Sequence, residues 1–298
     1  MSKIFWPTLI LGIIILSACG GGDSNGGGKP HVVATTVQIT ALAHEVGGDL
    51  IDLHGIIQAG ADPHEFEPVA SDLKSVEDAD VILRHGMGLD EWLDDTLSAG
   101  HIQAVTVTDG ITPLQGEEEG EVKDDPHVWH DPDNDKIMVN NIAAALDAAD
   151  PANKATYDAN AAAYNQKLDQ TKVQVQAIIN EIPEENRKLV TNHDAFGYFA
   201  NAFGLTIVGA VIPSISTGSE PSAQDTAALL DLIEREHVKA IFAESSVNPK
   251  LATTLASDAG VTIVDDLYGD SLGEPGSGAD TVDGMLLANA HKIADALK

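Results

Sequence analysis

Residues 151–182, PANKATYDANAAAYNQKLDQTKVQVQAIINEI, constrain the fold more than any other stretch of the chain. The segment has no glycine, and its one proline is Pro151, at its start, where a helix tolerates a missing N–H. The rest is rich in good helix formers, and Pro183 stops the run. We expect a single helix over 151–183, of about 30 residues and roughly 45 Å at 1.5 Å per residue. A helix of that length in mid-chain reads as a rigid spine with a folded body on either side.

Both flanks repeat one pattern. Before the spine, "HVVATTVQI", "LIDLHGII", "DVILRHG" and "AVTVTDGI" read as strands. Helical stretches "TALAHEVGG", "PVASDLKSVEDA" and "LDEWLDDTL" lie between them. After the spine, "KLVTNHDAF", "LTIVGAV", "VKAIFAESS" and "GVTIVDDL" are strand candidates, and "GMLLANAHKIADALK" closes the chain as an amphipathic helix. Strands alternating with helices at this spacing are βαβ units with a mostly parallel sheet. The expected fold class is therefore α/β, with two Rossmann-like lobes, residues 31–150 and 184–298, joined by the long helix. At 298 residues and 43% hydrophobic content, the chain is long enough for two cores.

The N-terminus is read as lying outside the fold. Lys3 precedes the apolar run "IFWPTLILGIIIL", too short and wrongly flanked for a membrane span. "LSAC", Leu16 to Cys19, ends that run and resembles the lipobox of bacterial lipoproteins. This implies a signal peptide over 1–18 and lipidation of Cys19, which would become the mature N-terminus. Residues 19–30 then form a Gly-rich tether, whose ten-residue "GGGDSNGGGK" has a reach of about 17 Å. Cys19 is the only cysteine, so no intrachain disulfide is available and the exported fold must rest on packing or a bound metal.

The net charge of −31 excludes nucleic acid as a partner, because phosphate repels such a surface. Most of that charge reads as a solvated face and marks no site. Two short motifs do. "GADPHEFEP" (60–68) and "DDPHVWHDP" (124–132) each contain Asp-Pro-His, followed by an aromatic residue and another proline. Proline keeps the preceding aspartate out of the α region, so each motif is an extended turn that presents its histidine rigidly. Helices are expected to start at Pro68 and after Pro132. His64 and His127 thus become candidate metal ligands at the carboxyl end of one sheet. The second half offers His193, just after a strand, and Asp270, in a Gly-rich loop after the last strand. Three imidazoles and one carboxylate, two from each half, suit a tetrahedral ion.

The motifs "GADPHEFEP", "DPHVWHDP", "HDAFGYFANAFGL", "ISTGSEPSAQD", "FAESSVNPK" and "LYGDSLGEPGSGADT" occur in this order from about residue 31 to the C-terminus. Together they resemble the zinc- and manganese-binding receptors of bacterial ABC importers, the cluster A-I solute-binding lipoproteins. The resemblance implies His64, His127, His193 and Asp270 as ligands, and two α/β lobes joined by one long helix. It also implies a membrane permease and a cytoplasmic ATPase as partners, and a place at the cell envelope. We expect the chain to act as a monomer.

The chain departs from the family pattern at two points. Zinc-specialised relatives carry a His-rich loop before the second motif. Here the loop is "LQGEEEGEVKDD" (114–125), acidic and without histidine. His130, three residues beyond His127, stands as an alternative ligand. Ligand type favours Zn(II), with Mn(II) as the alternative, since Asp270 is able to bind through both oxygens. Glu244, at a strand end in "FAESS", is either an orienting partner for a histidine or a surface carboxylate. His44, His54, His85, His101, His237 and His291 receive no role. A zinc hydrolase would need an open metal position and a general base, and the chain carries no H-E-x-x-H, P-loop or G-x-S-x-G motif. A surface adhesin is a further reading for which no residue speaks.

Overall fold

A computed structural model describes residue 1, residues 28–118 and residues 120–298. The lipobox and Cys19 lie outside the described residues. Among the described residues no helix is long and apolar enough to cross a membrane.

The first lobe runs β1 (His31–Ala34), α1 (Val37–Gly47), β2 (Asp52–Gly55), α2 (Ala70–Glu77), β3 (Val81–Arg84), α3 (Asp94–Gly100) and β4 (Val105–Thr106). The four strands pair in parallel in the order β2-β1-β3-β4. Val32, Val33 and Ala34 are wholly buried, as in a strand covered on both faces. The apolar run expected as one strand over 31–39 divides at Thr36, whose side chain caps Ile39 N and starts α1 at Val37. Likewise α2 begins at Ala70 and not at Pro68, with Val69 at the cap and Asp72 reaching back to the Val69 N–H.

A two-stranded antiparallel hairpin follows, β5 (Gln115–Glu118) and β6 (Glu121–Asp124). Glutamates have low strand propensity, so this acidic stretch, expected as a loop, pairs as strands only in the folded context. Then α4 (Pro132–Ala149) begins with Asp131 accepting from Asp133 N and Pro132 at the first helical position. The long helix is α5 (Lys154–Ile179), 26 residues. Pro151 belongs to the turn joining α4 to α5, so the spine starts three residues later than its sequence suggests. The short link folds α5 back along α4, shown by the pairs Lys154–Asp147, Asn165–Asn140 and Lys172–Asp133. One stripe of α5 is buried: Tyr157, Ala161, Tyr164, Leu168, Thr171, Val175 and Ile179, at spacings of three and four.

The second lobe runs β7 (Lys188–His193), α6 (Gly197–Phe203), β8 (Thr206–Ile212), α7 (Ala223–Glu236), β9 (Ala240–Glu244), α8 (Lys250–Ala259), β10 (Thr262–Leu267) and α9 (Val282–Leu297). Its parallel order is β10-β9-β7-β8, so counted from its own first strand the lobe has the same 2-1-3-4 topology as the other. In such a sheet the direction of winding reverses between the first and third strands, and the crevice at their carboxyl ends is where ligands bind. One continuous apolar core runs from Val32 and Leu83 through the α5 stripe to Phe196, Phe242 and Met285. The two lobes therefore share this packed core, beside a smaller cluster of their own in each, and the shared core resists wide hinge motion.

Candidate metal centre

The two Asp-Pro-His turns are built alike. Asp62 Oδ1 accepts from His64 N at 2.9 Å, and Asp125 Oδ1 accepts from His127 N at 3.0 Å. This local bond, with proline between its partners, fixes each turn. Beyond it the turns differ. Asp62 spends its second oxygen on Thr217 Oγ1 across the cleft, at 2.7 Å. Asp125 uses Oδ1 again, on the His127 ring, at Nδ1 and 2.7 Å. Behind the second turn, His85 Nε2 donates to the Pro126 carbonyl at 2.8 Å. Asp90 in turn holds the His85 N–H and the Thr35 hydroxyl, at the ends of β3 and β1.

His193 ends β7 and Glu244 ends β9, the first and third strands of the second lobe. The crevice rule thus places the pair side by side. Glu244 Oε1 accepts from His193 Nδ1 at 2.9 Å and from His193 N at 3.1 Å. Asp270 follows β10, with Gly269 before it; a Cβ on Gly269 would overlap Glu244 Oε2, so glycine allows the loop to lie against that carboxylate.

These elements bring four groups to one point. His127 Nε2 lies 3.3 Å from His64 Nε2 and 3.2 Å from His193 Nε2. Asp270 Oδ1 is 3.1 Å from His127 Nε2, and Oδ2 is 3.2 Å from His193 Nε2 and 3.8 Å from His64 Nε2. Among the described residues, this is the one group of His, Cys, Asp or Glu so arranged for a metal ion. His127, His193 and Asp270 are buried, while His64 borders a cavity of about 240 Å³. Glu91, Glu118 and Asp124 also line that cavity, together with Lys123, which pairs with Glu118, so the lining carries more acidic than basic groups.

The electrostatics follow from this crowding. Burial pulls the His64 ring down to about 3, with Asp270 opposing. Burial also opposes charge on His127, but Asp125 and Asp270 outweigh it and hold the ring up at about 9. The same balance, with Glu244 and Asp270, raises His193 well above the ordinary range. Burial would raise Asp270, but His193 and His127 hold its carboxyl well below the usual range. In the neutral rings whose Nδ1–H donates to Asp125 and Glu244, the Nε2 of His127 and of His193 turns a lone pair inward. Neither Asp270 oxygen then has a hydrogen-bond donor. Two lone pairs and a bare carboxylate within such distances, with the His64 Nε2 beside them, repel one another unless protons or a cation sit between them. The donor set of three imidazoles and one carboxylate fits such a cation.

His130 is not part of the convergence. Its Nε2 donates to the Gly269 carbonyl at 3.0 Å, and its ring stacks on Phe196 with centroids 4.6 Å apart. Glu244 is no surface carboxylate: only 2% of it is exposed. Asp125, His85, Gln38 and Trp129 also support the site, and none of them stands out in the sequence as a site residue. Asp125 had a signal, since it stands two residues before a ligand candidate, where a carboxylate reaches both backbone and ring.

The fold and the four convergent groups define a receptor of the two-lobed metal-binding class. The family model described as zinc-uptake complex component A, periplasmic, matches residues 32–296. The chain is 34% identical over 300 residues to the manganese ABC transporter substrate-binding lipoprotein PsaA of Streptococcus pneumoniae serotype 4, covering 97% of this chain and 96% of the relative. It is 33% identical to the metal ABC transporter substrate-binding lipoprotein SsaB of Streptococcus sanguinis, covering 100% and 99%. Among solved structures, the periplasmic zinc-binding protein TroA of Treponema pallidum superposes with a TM-score of 0.83 at 31% identity, covering 91% of this chain and 99% of TroA. The Mn-bound periplasmic metal-binding protein of Candidatus Liberibacter asiaticus gives 0.81 at 28% identity, covering 91% and 100%. The chain belongs to the zinc-uptake component A family, whose members are metal-binding receptors of ABC importers and not enzymes.

Proposed function

We propose that the protein captures Zn(II) as cargo between its lobes, on His64, His127, His193 and Asp270, and hands it to a membrane permease driven by a cytoplasmic ATPase. The observation that carries this reading is the spacing of 3.1–3.3 Å between His127 Nε2 and the nearest atoms of the other three groups. Zinc bonds of 2.0–2.2 Å in a tetrahedron put ligand atoms about 3.4 Å apart. Four protein ligands close the shell, as a carrier needs and a hydrolase does not. His130 has its Nε2 committed elsewhere, which favours His127 as the ligand of the second turn.

A second reading, Mn(II), is favoured by Asp270, whose two oxygens both face the site, and by relatives named for manganese. Manganese accepts more oxygen and a higher coordination number. Metal content of protein purified without added metal, followed by competition between Zn(II) and Mn(II), decides between them. Ligand variants test the site itself: His64→Ala, His127→Ala and Asp270→Ala should each weaken zinc binding by orders of magnitude in a chelator titration. Parental affinity in any of them would remove that residue from the set.

Residues 1–18 act in this reading as a lipoprotein signal peptide, Cys19 as the lipidated residue and 19–30 as the tether. Residues 31–150 and 184–298 form the two lobes, with 151–183 linking them, and the receptor works as a monomer at the cell envelope. The "LSAC" sequence and the lipoprotein names of the relatives support the anchor. Cys19→Ser should release the protein from membranes; a variant that still sediments with them would refute the anchor.

A further inference from the structure

The loop that carries Asp270 belongs by sequence to the second lobe, yet it is held by the first. Gln38 Nε2, on α1, donates to the Asp270 carbonyl at 2.8 Å. Trp129 Nε1 donates to the Gly269 carbonyl at 2.9 Å, and His130 Nε2 donates to the same oxygen at 3.0 Å. Gly60 N donates to Ser271 Oγ at 2.6 Å. On the other side, Asn289 of α9 ties down Tyr268, bonding both its N–H and its carbonyl. Residues 269–271 therefore bridge the lobes: they lie against Glu244 and His193 of the second, while their backbone and Ser271 are bonded to the first.

Gln38, Trp129 and His130 are fully buried, and none of them is among the four convergent groups. Among the described residues Gln38 Oε1 has no hydrogen-bond partner, so the side chain's one bond is the donation to Asp270. Trp129 and His130 sit in the turn directly after His127, so one short stretch, 127–130, delivers a ligand candidate and two donors to the facing loop. Separating the lobes around an ion must break these bonds or pull the Asp270 backbone away from the ion.

We propose that Gln38, Trp129 and His130 are positioning residues that clamp the Gly269–Asp270 backbone across the cleft and so set how long the cargo is held. The proposal rests on Asp270 being a ligand, as read above. Because the clamp is complete only when the lobes meet, it acts on release and not on capture.

The test is stopped-flow release of Zn(II) from the loaded full chain into excess chelator, with association measured in parallel. Gln38→Met keeps the approximate shape and loses the donor without adding a charge; Trp129→Phe keeps most of the ring and loses the N–H. Each should release zinc about tenfold faster, the effect of one buried hydrogen bond, with association unchanged. A role confined to folding would lower the melting temperature and leave the release rate alone. If the parent holds zinc and Asp270→Ala loses it, but both donor variants release at the parental rate, the clamp is refuted. If the parent binds neither Zn(II) nor Mn(II), the ligand reading falls first, and the clamp with it.

Discussion

Asp125 Oδ1 lies 2.7 Å from His127 Nδ1 and 3.0 Å from the backbone nitrogen of the same residue. Glu244 Oε1 repeats the arrangement on His193, at 2.9 and 3.1 Å. In each pair one carboxylate oxygen fixes the ring to its own backbone and selects the tautomer with Nε2 free. Among the described residues His64 has no equivalent carboxylate partner for its ring, since Asp62 turns to Thr217.

Asp125→Ala and Glu244→Ala should therefore each weaken zinc binding about 10- to 100-fold, the usual cost of losing a carboxylate behind a ligating histidine. Asp62→Ala should cost less at the ring and more at the cleft, because Asp62 braces a turn and a cross-lobe bond. A chelator competition on the three variants checks the order. Equal losses in all three would mean that the carboxylates act only on folding.

The parallel strands, the closing helix and the four convergent groups were legible in the sequence because each has a local signature. Val-rich runs announce strands buried on two faces, and Asp-Pro-His announces a rigid turn. What escaped was set by partners far along the chain. Nothing local marks Gln38, whose acceptor is 232 residues away. His85, at the end of the strand candidate "DVILRHG", shows no role in the sequence, because its acceptor, the Pro126 carbonyl, is brought to it only by the tertiary fold. The hairpin at 115–124 hid for a related reason. Its strands are acidic and mostly exposed, and their pairing is stabilised where Glu117 O accepts from Ile215 N of the other lobe, at 3.0 Å.

That hairpin contact gives a second prediction. Gly116 packs so tightly on Ile215 that a Cβ there would overlap Ile215 Cγ2. Glu118 and Asp124 of the same hairpin line the cavity leading to His64. Gly116→Val should lift the hairpin from the second lobe, widen the mouth and speed both uptake and release of zinc. Binding of unaltered speed, with the hairpin's amides exchanging no faster than in the parent, would show that the hairpin plays no part in access.

A third prediction concerns protons. In the metal-free protein His127 is held up at about 9 and His193 is raised as well, so at pH 7 both rings carry a second proton, on Nε2. His64, at about 3, has none to give. An ion taking these nitrogens must expel the protons, so zinc binding should release about two protons at pH 7 and weaken as the pH falls. Calorimetry in buffers of different ionisation enthalpy counts them. A count of zero would mean that the empty site is already deprotonated and that Asp270 alone meets the charge.

Asp135 offers a test of stability away from the ligands. It lies in the first turns of α4, fully buried, and among the described residues neither carboxylate oxygen has a hydrogen-bond partner. Burial raises its pKa well above the ordinary value, and the nearby Asp131 and Asp283 push it further in the same direction. The sign follows directly. The folded state holds this proton more tightly than the unfolded chain, so the stability it contributes is complete below the unfolded value near 3.8 and is lost as the pH rises through the raised folded value. Asp135→Asn removes the titration and keeps the size. Relative to the parent, the variant should gain stability steadily as the pH rises from about 4 toward neutrality, by an amount on the order of the 1–3 kcal/mol that an unsatisfied buried polar group costs. Urea unfolding of both proteins across that range, in the presence of a chelator to keep metal out of the balance, measures the difference. A gap that does not change with pH would mean that Asp135 ionises as readily in the fold as outside it.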